Sequence, residues 1–384
     1  MQLSPYTPGE VARDVPGREQ QLQEIGGLLT LPALHGRFSG RIRVDVGPRG
    51  VGKTSLLRRV REDAKALGLA PIYVTAGNGP LAAVIADEAR GLLHSWSLPA
   101  AAGTWLENVT LTLGVPGLAQ LSTSVSAPKP NPATLPQATR AFRELVEKTT
   151  AEALNNGQTG IVILIDELQE ADPAGLRTVA YAWQELQGGR IPAALLAAGL
   201  SHTADVVTSA VTSAERFQFR TMNDLEPHQV REALTDPATA LQVRWEIPAL
   251  EAAVEQSAGY PYAVQLWGDA LWQAAGNPDQ GGVIRAEHIE QATAQVEADM
   301  EALHRARWAK ASPRERELLA AMAERGGREV PRAEIAAALE VPSRSLSAPR
   351  QSLLDKGIIQ IAGHGLLSFT APGFARYVRG LDPR

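Results

Sequence analysis

The chain has 384 residues, with 37 basic against 42 acidic side chains, 44 % hydrophobic residues and no cysteine. At roughly 150 residues a domain, the length predicts two or three domains, and the absence of cysteine excludes disulfides and thiolate metal sites. No segment approaches about 18 consecutive apolar residues, and no apolar core follows a basic N-terminal stretch, so we expect a cytoplasmic protein without a membrane span.

The chain begins with an arm, a helix and a strand. Residues 6–17 are rich in proline and glycine and show no periodicity, which predicts an extended arm on the surface. Residues 19–29 carry apolar side chains at helical spacing, and residues 41–46 alternate as a strand that runs straight into a glycine-rich turn.

Strands and helices then alternate as far as residue 225, which predicts βαβ units and a parallel sheet. The further predicted strands are residues 69–75, 161–165, 192–198 and 216–220, and the helices between them are residues 54–67, 80–94, 137–155 and 174–186.

Residues 95–136 interrupt this alternation. Residues 108–113 and 119–126 predict the two strands of an inserted β-hairpin, which a proline-rich return follows. The insertion carries almost no charge, which favours a packing or partner surface over a contact with DNA.

Two further units follow the alternating region. The β-type patterns stop after residue 225, and four helical patterns between residues 226 and 311 predict a helical domain. Residues 312–384 predict three short helices and then a two-stranded hairpin over residues 359–370, which is the pattern of a winged helix. This last segment carries eleven basic against eight acidic side chains, a local charge of +3 on an otherwise acidic chain.

The most specific motif is the glycine-rich turn at residues 47–54, Gly-Pro-Arg-Gly-Val-Gly-Lys-Thr, which fits the P-loop pattern G-x-x-x-x-G-K-[ST]. Glycines let backbone N–H groups wrap around phosphates, and the dipole of the helix that follows attracts anions. We expect Lys53 to reach the β and γ phosphates of ATP and Thr54 to bind Mg²⁺ through its hydroxyl. The nucleotide contacts expected from the loop are Gly47, Pro48, Arg49, Gly50, Val51, Gly52, Lys53, Thr54 and Ser55.

A second motif, Ile-Val-Ile-Leu-Ile-Asp-Glu at residues 161–167, is an apolar strand that ends in two acids. In an open α/β sheet, magnesium chemistry is expected at the carboxyl edge. We expect Asp166 to hold the Mg²⁺ shell together with Thr54, and Glu167 to orient and deprotonate the attacking water. The two motifs together predict an ATPase that uses ATP and Mg²⁺, with Lys53 and Glu167 in catalytic roles.

With these motifs the chain resembles the AAA+/STAND group of P-loop ATPases, specifically small bacterial proteins with an origin-recognition-like ATPase core. Residues 17–19, Gly-Arg-Glu, resemble the box at the adenine pocket of this group, which implies a nucleotide contact for Arg18. Residues 259–261, Gly-Tyr-Pro, resemble the lid motif in which the proline, here Pro261, backs the nucleotide. The resemblance extends over nearly the whole chain.

Two positions bear on how such a protein hydrolyses ATP. Residues 214–217, Ala-Glu-Arg-Phe, resemble the segment that in many relatives carries an arginine acting on a neighbouring chain's γ-phosphate. The resemblance implies this catalytic role for Arg216; a structural ion pair is the alternative. The fourth strand of many relatives ends in a polar sensor, whereas residues 197–201 here offer only Ser201. This departure fits a slow switch better than a motor.

The predicted fold class is α/β, with a parallel-sheet P-loop NTPase core over residues 1–225, a helical lid over residues 226–311 and a C-terminal winged-helix domain over residues 312–384. The expected function is a conformational switch in which ATP bridges core and lid, and hydrolysis releases them. The alternative is an ATP-dependent docking scaffold of a regulatory or defence complex that hydrolyses ATP slowly or not at all.

The partner of the predicted winged helix stays open. The recognition helix would lie within residues 343–356 and the wing would turn near residue 364, which gives the expected DNA contacts Arg344, Ser345, Ser347, Arg350, Gln351 and His364. Pro349 restricts the helix, and two arginines and one lysine are few for a phosphate footprint. DNA binding and the docking of a protein partner or a second copy of the chain both remain.

Overall fold

The computed structural model describes residues 1–10, 15–96, 100–114, 134–212 and 214–381. Its strands are β1 (Ile42–Val46), β2 (Leu69–Thr75), β3 (Gly160–Asp166), β4 (Ala193–Gly199), β5 (Phe217–Thr221), β6 (Arg244–Trp245), β7 (Val283–Ile284), β8 (Val330–Pro331), β9 (Ile359–Gly363) and β10 (Leu366–Phe369). Its α-helices are α1 (Glu19–His35), α2 (Lys53–Ala66), α3 (Leu81–Ser95), α4 (Ala100–Leu113), α5 (Leu135–Asn155), α6 (Pro173–Glu185), α7 (Thr203–Ala210), α8 (Pro227–Ala240), α9 (Ile247–Ser257), α10 (Pro261–Ala274), α11 (Ile289–Ala309), α12 (Pro313–Ala323), α13 (Arg332–Ala338), α14 (Ser347–Asp355) and α15 (Phe374–Gly380).

The core is a five-stranded parallel sheet in the order β2-β3-β4-β1-β5. Side chains of β3 alternate between its two faces: Ile161, Ile163 and Ile165 pack with α3, α5 and α6, while Val162 and Leu164 pack with α1 and α2. Because helices cover both faces, β3 and β4 are continuous apolar runs, whereas β1 buries the ion pair of Arg43 and Asp45. All five strands run in one direction, so their carboxyl ends meet at one edge. The predicted α/β class with a parallel sheet is confirmed.

Two further hydrophobic clusters follow the core. Helices α8 to α11 enclose one around Trp267 and Trp272, together with the short parallel pair β6–β7. Helices α12 to α15 enclose the other around Phe374, with a three-stranded antiparallel sheet in the order β8-β10-β9. We call residues 226–311 the helical unit and residues 312–381 the C-terminal unit; these domain bounds stay a prediction.

The predicted inserted hairpin is wrong in its first strand. Residues 108–113 lie in helix α4, because Leu106, Val109 and Leu113 recur at helical spacing and bury that face of the helix against α3 and α5. The second predicted strand, residues 119–126, lies outside the described residues.

The N-terminal arm does not simply lie on the surface. The ring of Tyr6 is buried in the helical unit, where it packs edge-on against Trp245 and Trp272 with centroids 6.4 and 6.2 Å away. A Cβ on Gly268 of α10 would lie 2.5 Å from this ring, so the helix has room for Tyr6 only because that residue is glycine. The arm is therefore anchored in the helical unit.

Candidate nucleotide-binding site

The P-loop (residues 47–54) joins β1 to α2 with a backbone that requires glycine. Gly50 and Gly52 have φ angles of 88° and 94°, in the left-handed region that side chains disfavour. A Cβ on Gly47 would lie 2.6 Å from the carbonyl oxygen of Met222, which follows β5. The loop ends in the first turn of α2, where backbone N–H groups and the helix dipole favour an anion.

Lys53 opens α2 and turns back over the P-loop with only 7 % of its surface exposed. Its Nζ donates hydrogen bonds to the carbonyl oxygens of Gly47 at 3.1 Å and Pro48 at 2.8 Å. Burial lowers the pKa of Lys53 to about 8, although the carboxylates of Glu167 and Asp166 oppose the shift. An anionic phosphate beside Nζ would stabilise the charged form, which fits the phosphate contact expected of this side chain.

Asp166, the last residue of β3, is buried and accepts hydrogen bonds from three donors. The hydroxyl of Thr54 donates to its Oδ2 at 2.8 Å, the hydroxyl of Tyr73 donates to the same oxygen at 3.0 Å, and the N–H of Glu167 donates to Oδ1 at 2.9 Å. Burial and the adjacent carboxylate raise the pKa of Tyr73, so its hydroxyl stays a donor. The hydroxyl of Thr54 and the carboxylate of Asp166 are hard oxygen donors of the kind that Mg²⁺ takes beside phosphate oxygens, so these two residues fit the ion.

Glu167 follows Asp166 with φ 52° and ψ 45°, in the left-handed region. Its Oε2 accepts a hydrogen bond from Nε2 of Gln169 at 2.5 Å. The side chain lines the same cavity as Lys53 and Thr54. A carboxylate in this place is able to accept a proton from a water next to the γ-phosphate.

Residues 49–55 and Glu167 line one cavity of about 350 Å³, a size typical of small-ligand sites, and Asp166 is bonded to Thr54 at its edge. The remaining lining comes from the segment before α1, from the end of the core and from the helical unit, and comprises Thr7, Gly9, Glu10, Val15, Pro16, Arg18, Leu225, Ala233, Pro261, Tyr262, Val264 and Gln265. Pro261 is the first residue of α10. The fold therefore brings together the P-loop, Arg18 and Pro261, three separate parts of the sequence that were each predicted to contact the nucleotide.

Arg18 is buried beside the P-loop and bonds to its backbone. Its Nη2 donates to the carbonyl oxygens of Val51 at 3.0 Å and Asn223 at 2.6 Å. Burial lowers the pKa of Arg18, and the nearby carboxylate of Asp224 opposes that shift. Arg18 thus lines the cavity and also holds the loop against the segment that follows β5.

The structure does not bring Arg216 to this cavity. Arg216 precedes β5, and Phe217 at the start of that strand lies opposite Ile42 at the start of β1. The P-loop follows the other end of β1, about 16 Å of strand away. Within the described residues the Nε of Arg216 is buried without a hydrogen-bond partner. Arg216 therefore cannot act on the γ-phosphate of its own chain, and its action on a neighbouring chain stays a prediction.

Three residues of the site were not identified from the sequence: Tyr73, Gln169 and Tyr260. The hydroxyl of Tyr260 donates to the carbonyl oxygen of Arg49 at 3.1 Å, and a Cβ on Gly50 would lie 2.2 Å from that hydroxyl. Tyr260 and Gln169 sit inside motifs that the sequence did single out, so their motifs were a usable signal. Tyr73 had no such signal, because it lies inside β2 and its hydroxyl reaches Asp166 only through the pairing of β2 with β3.

Within the described ranges, no group of three or more acidic or histidine side chains is arranged to hold a metal ion. In the same part of the chain, no helix is both long and apolar enough to cross a membrane. The Thr54–Asp166 pair, which would share its ion with phosphate oxygens, is thus the candidate for metal binding that the described residues offer.

Comparison with known proteins gives two family matches and several similar folds. Residues 14–196 match the family described as AAA ATPase domain, and residues 301–378 match a domain of unknown function, DUF8462. No curated protein sequence matches the chain.

Among solved structures, the ORC2 protein of Aeropyrum pernix in its ADPNP–ADP complexes has a TM-score of 0.57 at 14 % identity, over 97 % of this chain and 95 % of that one. The ORC1 protein of Aeropyrum pernix in complex with DNA gives 0.47 at 19 % identity, over 98 % and 95 %. The Holliday junction branch migration motor RuvB of Thermotoga maritima gives 0.46 at 15 % identity, over 96 % of each chain. Of these three, the likeness to the ORC2 protein is close enough to compare folds. The family match supports a nucleotide-binding AAA ATPase domain over residues 14–196, and the likeness to the ORC2 protein is one of fold.

Proposed function

We propose that the chain is an ATP-hydrolysing switch of the AAA+/STAND type, which couples the nucleotide state of its core to a winged helix in the C-terminal unit. The order of elements in that unit, helix, strand, helix, helix and hairpin, supports the assignment of a winged helix. The observation that carries the coupling is a path of buried hydrogen bonds between the P-loop and the C-terminal unit.

The path begins at the carbonyl oxygen of Arg49 in the P-loop, which accepts a hydrogen bond from the hydroxyl of Tyr260 at 3.1 Å. That hydroxyl in turn accepts from Nη2 of Arg307 in α11 at 3.1 Å. Nη1 of Arg307 donates to the hydroxyl of Thr370 at 2.8 Å, and Thr370 donates to the carbonyl oxygen of Gly357 at 2.8 Å. Four bonds therefore connect the phosphate-binding loop to the segment between α14 and β9.

Arg307 makes this path sensitive to small displacements. The side chain is 7 % exposed, and its hydrogen bonds within the described residues go to neutral hydroxyls rather than to a carboxylate. A buried charge without an opposite charge depends on every hydrogen bond that it makes. A movement of the P-loop on phosphate binding would shift Tyr260 and so weaken or strengthen the hold of Arg307 on the C-terminal unit.

The hydrolytic residues in this proposal are those of the cavity. Bound Mg²⁺, held by Thr54 and Asp166, would supply positive charge against the phosphate oxygens. Lys53 would hold the β and γ phosphates through its ammonium group. Glu167 would orient a water and take its proton as the water oxygen bonds to the γ-phosphorus and the bond to the β–γ bridging oxygen breaks.

The coupling is tested with Arg307→Met, which keeps an unbranched apolar stem but removes the guanidinium and its donors. Backbone hydrogen exchange over residues 312–381 is measured with and without the slowly hydrolysed analogue ATP-γ-S. In the wild-type chain we expect the exchange of this unit to change with nucleotide, and in Arg307→Met we expect equal nucleotide affinity but no such change. Arg305→Met is the matched control, because Arg305 lies on the same helix, is 72 % exposed and pairs with Glu301 on the surface. If backbone hydrogen exchange of residues 312–381 in the wild-type chain were the same with and without nucleotide, the proposed switch would be contradicted.

One observation favours the second candidate, a docking scaffold with slow hydrolysis. Ser201, the only polar side chain that the sequence offers as a sensor, lies in the turn after β4, and the end of that strand is Gly199. A rate of hydrolysis no higher than that of Glu167→Gln, together with tight ATP binding, would select this candidate. The molecular mass of the ATP-bound form shows whether the chain assembles with a second copy, on whose γ-phosphate Arg216 could then act.

A further inference from the structure

Beside the cavity lies the side-chain amide of Gln169, a group for which the sequence predicted no role. Its Nε2 lies 2.5 Å from Oε2 of Glu167, and its Oε1 lies 2.9 Å from the backbone nitrogen of Leu200. A backbone N–H only donates, so the amide oxygen must face Leu200 and the NH₂ group must face the carboxylate. One side chain thus joins Glu167 to the end of β4.

The backbone around this bridge is built to admit it. A Cβ on Gly199 would lie 2.9 Å from Oε1 of Gln169 and 2.3 Å from Oγ1 of Thr203, so a larger residue at the end of β4 would displace the amide. Oγ1 of Thr203 also donates to the carbonyl oxygen of Leu200 at 2.6 Å. This bond fixes the turn in which the N–H of Leu200 donates to Oε1 of Gln169.

Glu167 itself is held in an unusual conformation. A non-glycine residue at φ 52° is disfavoured and persists where its surroundings fix it. The bridge through Gln169 supplies one restraint on its side chain, and the bond from its N–H to Asp166 supplies another on its backbone. Since Glu167 lines the cavity while it is bonded to Gln169, the bridge holds the carboxylate towards the cavity and not away from it.

We propose that Gln169 is the positioning residue for Glu167 and takes the place of the polar side chain that β4 lacks at its end. The inference rests on the proposed ATPase function and adds to it the residue that aims the base. Gln169 touches Glu167 and the backbone of β4, and it is not among the residues that line the cavity. Its effect on hydrolysis is therefore transmitted through Glu167.

The test compares Gln169→Ala and Gln169→Glu with the wild-type chain in steady-state ATP hydrolysis. Gln169→Ala removes both bonds, so we expect kcat to fall about tenfold, the effect of one lost orienting hydrogen bond, while KM and ATP-γ-S affinity stay unchanged. Gln169→Glu keeps the acceptor for Leu200 but replaces the NH₂ donor to Glu167 by a like charge. We therefore expect kcat to fall at least as far in Gln169→Glu as in Gln169→Ala, whereas a merely structural role through the end of β4 would leave kcat of Gln169→Glu close to that of the wild-type chain.

The controls separate this inference from the proposed function. Glu170 is exposed, and its Oε1 accepts a hydrogen bond of 3.5 Å from the same amide of Gln169. Glu170→Gln keeps an acceptor in that place and is therefore expected to leave kcat and KM unchanged. Wild-type kcat in either Gln169 variant overturns the positioning role alone, and so does faster hydrolysis in Gln169→Ala. A wild-type chain that hydrolyses ATP no faster than Glu167→Gln overturns the proposed hydrolysis and this inference with it.

Discussion

The carboxyl edge of the five-stranded sheet and the surface of helix α14 present candidate ligand groups in opposite ways. At the sheet edge, the groups are backbone N–H groups of the P-loop and short side chains that directly follow buried strands. On α14 they are long side chains of a nine-residue helix, which the backbone directs only in part. The class of ligand can be inferred at the sheet edge, because sheet topology fixes the positions of these groups relative to one another.

The hydrogen bonds of the C-terminal unit show why its ligand does not follow in the same way. The hydroxyl of Ser347 accepts a hydrogen bond from Arg332 at 2.9 Å, and the amide of Gln351 donates to Asp355 at 2.9 Å. Two of the expected DNA contacts, Ser347 and Gln351, are therefore already engaged. Asp355 also lies 3.2 Å from Nε2 of the buried His202 in the core. The face that could read DNA is therefore partly used to hold the unit together and to dock it on the core.

The largest effect is expected at the sheet edge, where Lys53→Ala removes a charge-assisted contact with phosphate. We expect ATP affinity to fall at least about 100-fold while the chain stays folded, with a small fall in melting temperature because the buried carbonyl oxygens of Gly47 and Pro48 lose the donor that Nζ supplies. Titration with a fluorescent ATP analogue and thermal melting measure the two quantities. Lys65→Ala, on the surface of the same helix, is the matched control. Equal affinity in Lys53→Ala would remove the P-loop assignment.

How much the sequence predicted follows from the same contrast. The P-loop, Asp166 and Glu167 were found because each lies at a fixed offset from a strand. The strand of residues 108–113 was predicted wrongly because its apolar residues fit period 2 as well as period 3.6 when the segment is short. The side chains that connect elements had no such offset. Arg307 belongs to no motif, and its role depends on the P-loop, Tyr260 and Thr370 meeting at one point.

Arg344 and Arg350 are the charges left on the predicted recognition helix. Arg344 is exposed, and the Nε of Arg350 is without a hydrogen-bond partner among the described residues. If the unit binds DNA, replacing both by alanine should lower the slope of log affinity against log salt by about two units, one for each lost phosphate contact. Replacing Arg376 and Arg379 of α15 removes the same charge from another exposed face and should leave more of the slope intact.

The result of that experiment also decides between the two partners. ATP affinity should be unchanged in both double variants, because neither pair lines the cavity. A wild-type chain without salt-dependent DNA binding, with or without ATP, would favour a protein partner, and the Arg344/Arg350 variant would then be expected to lose it.

The smallest effect is expected from Glu315, which stabilises the C-terminal unit without any ligand. Its carboxylate accepts from Nζ of Lys356 at 2.6 and 2.8 Å and from the N–H of Ser312 at 2.6 Å, where it closes the capping box of α12. Burial opposes ionisation, but these hydrogen bonds and one with Ser352 outweigh it and lower the pKa of Glu315 from 4.5 to about 2. The folded state therefore gains stability from this group above pH 4.5 and loses it as the pH falls from 4.5 to about 2.

Glu315→Gln should accordingly destabilise the C-terminal unit by about 1–2 kcal/mol at neutral pH. The difference from the wild-type chain should shrink as the pH falls below 4.5 and vanish below about pH 2, where the wild-type carboxyl becomes fully protonated as well. Denaturant melts across this range, followed by hydrogen exchange of residues 312–381, measure it. Glu317 is an exposed residue of the same helix, so Glu317→Gln makes the same change in charge. Its stability should differ little from that of the wild-type chain, with no change in the difference between pH 4.5 and about pH 2. A pH-independent difference would mean that the capping geometry, and not the charge of Glu315, stabilises the unit.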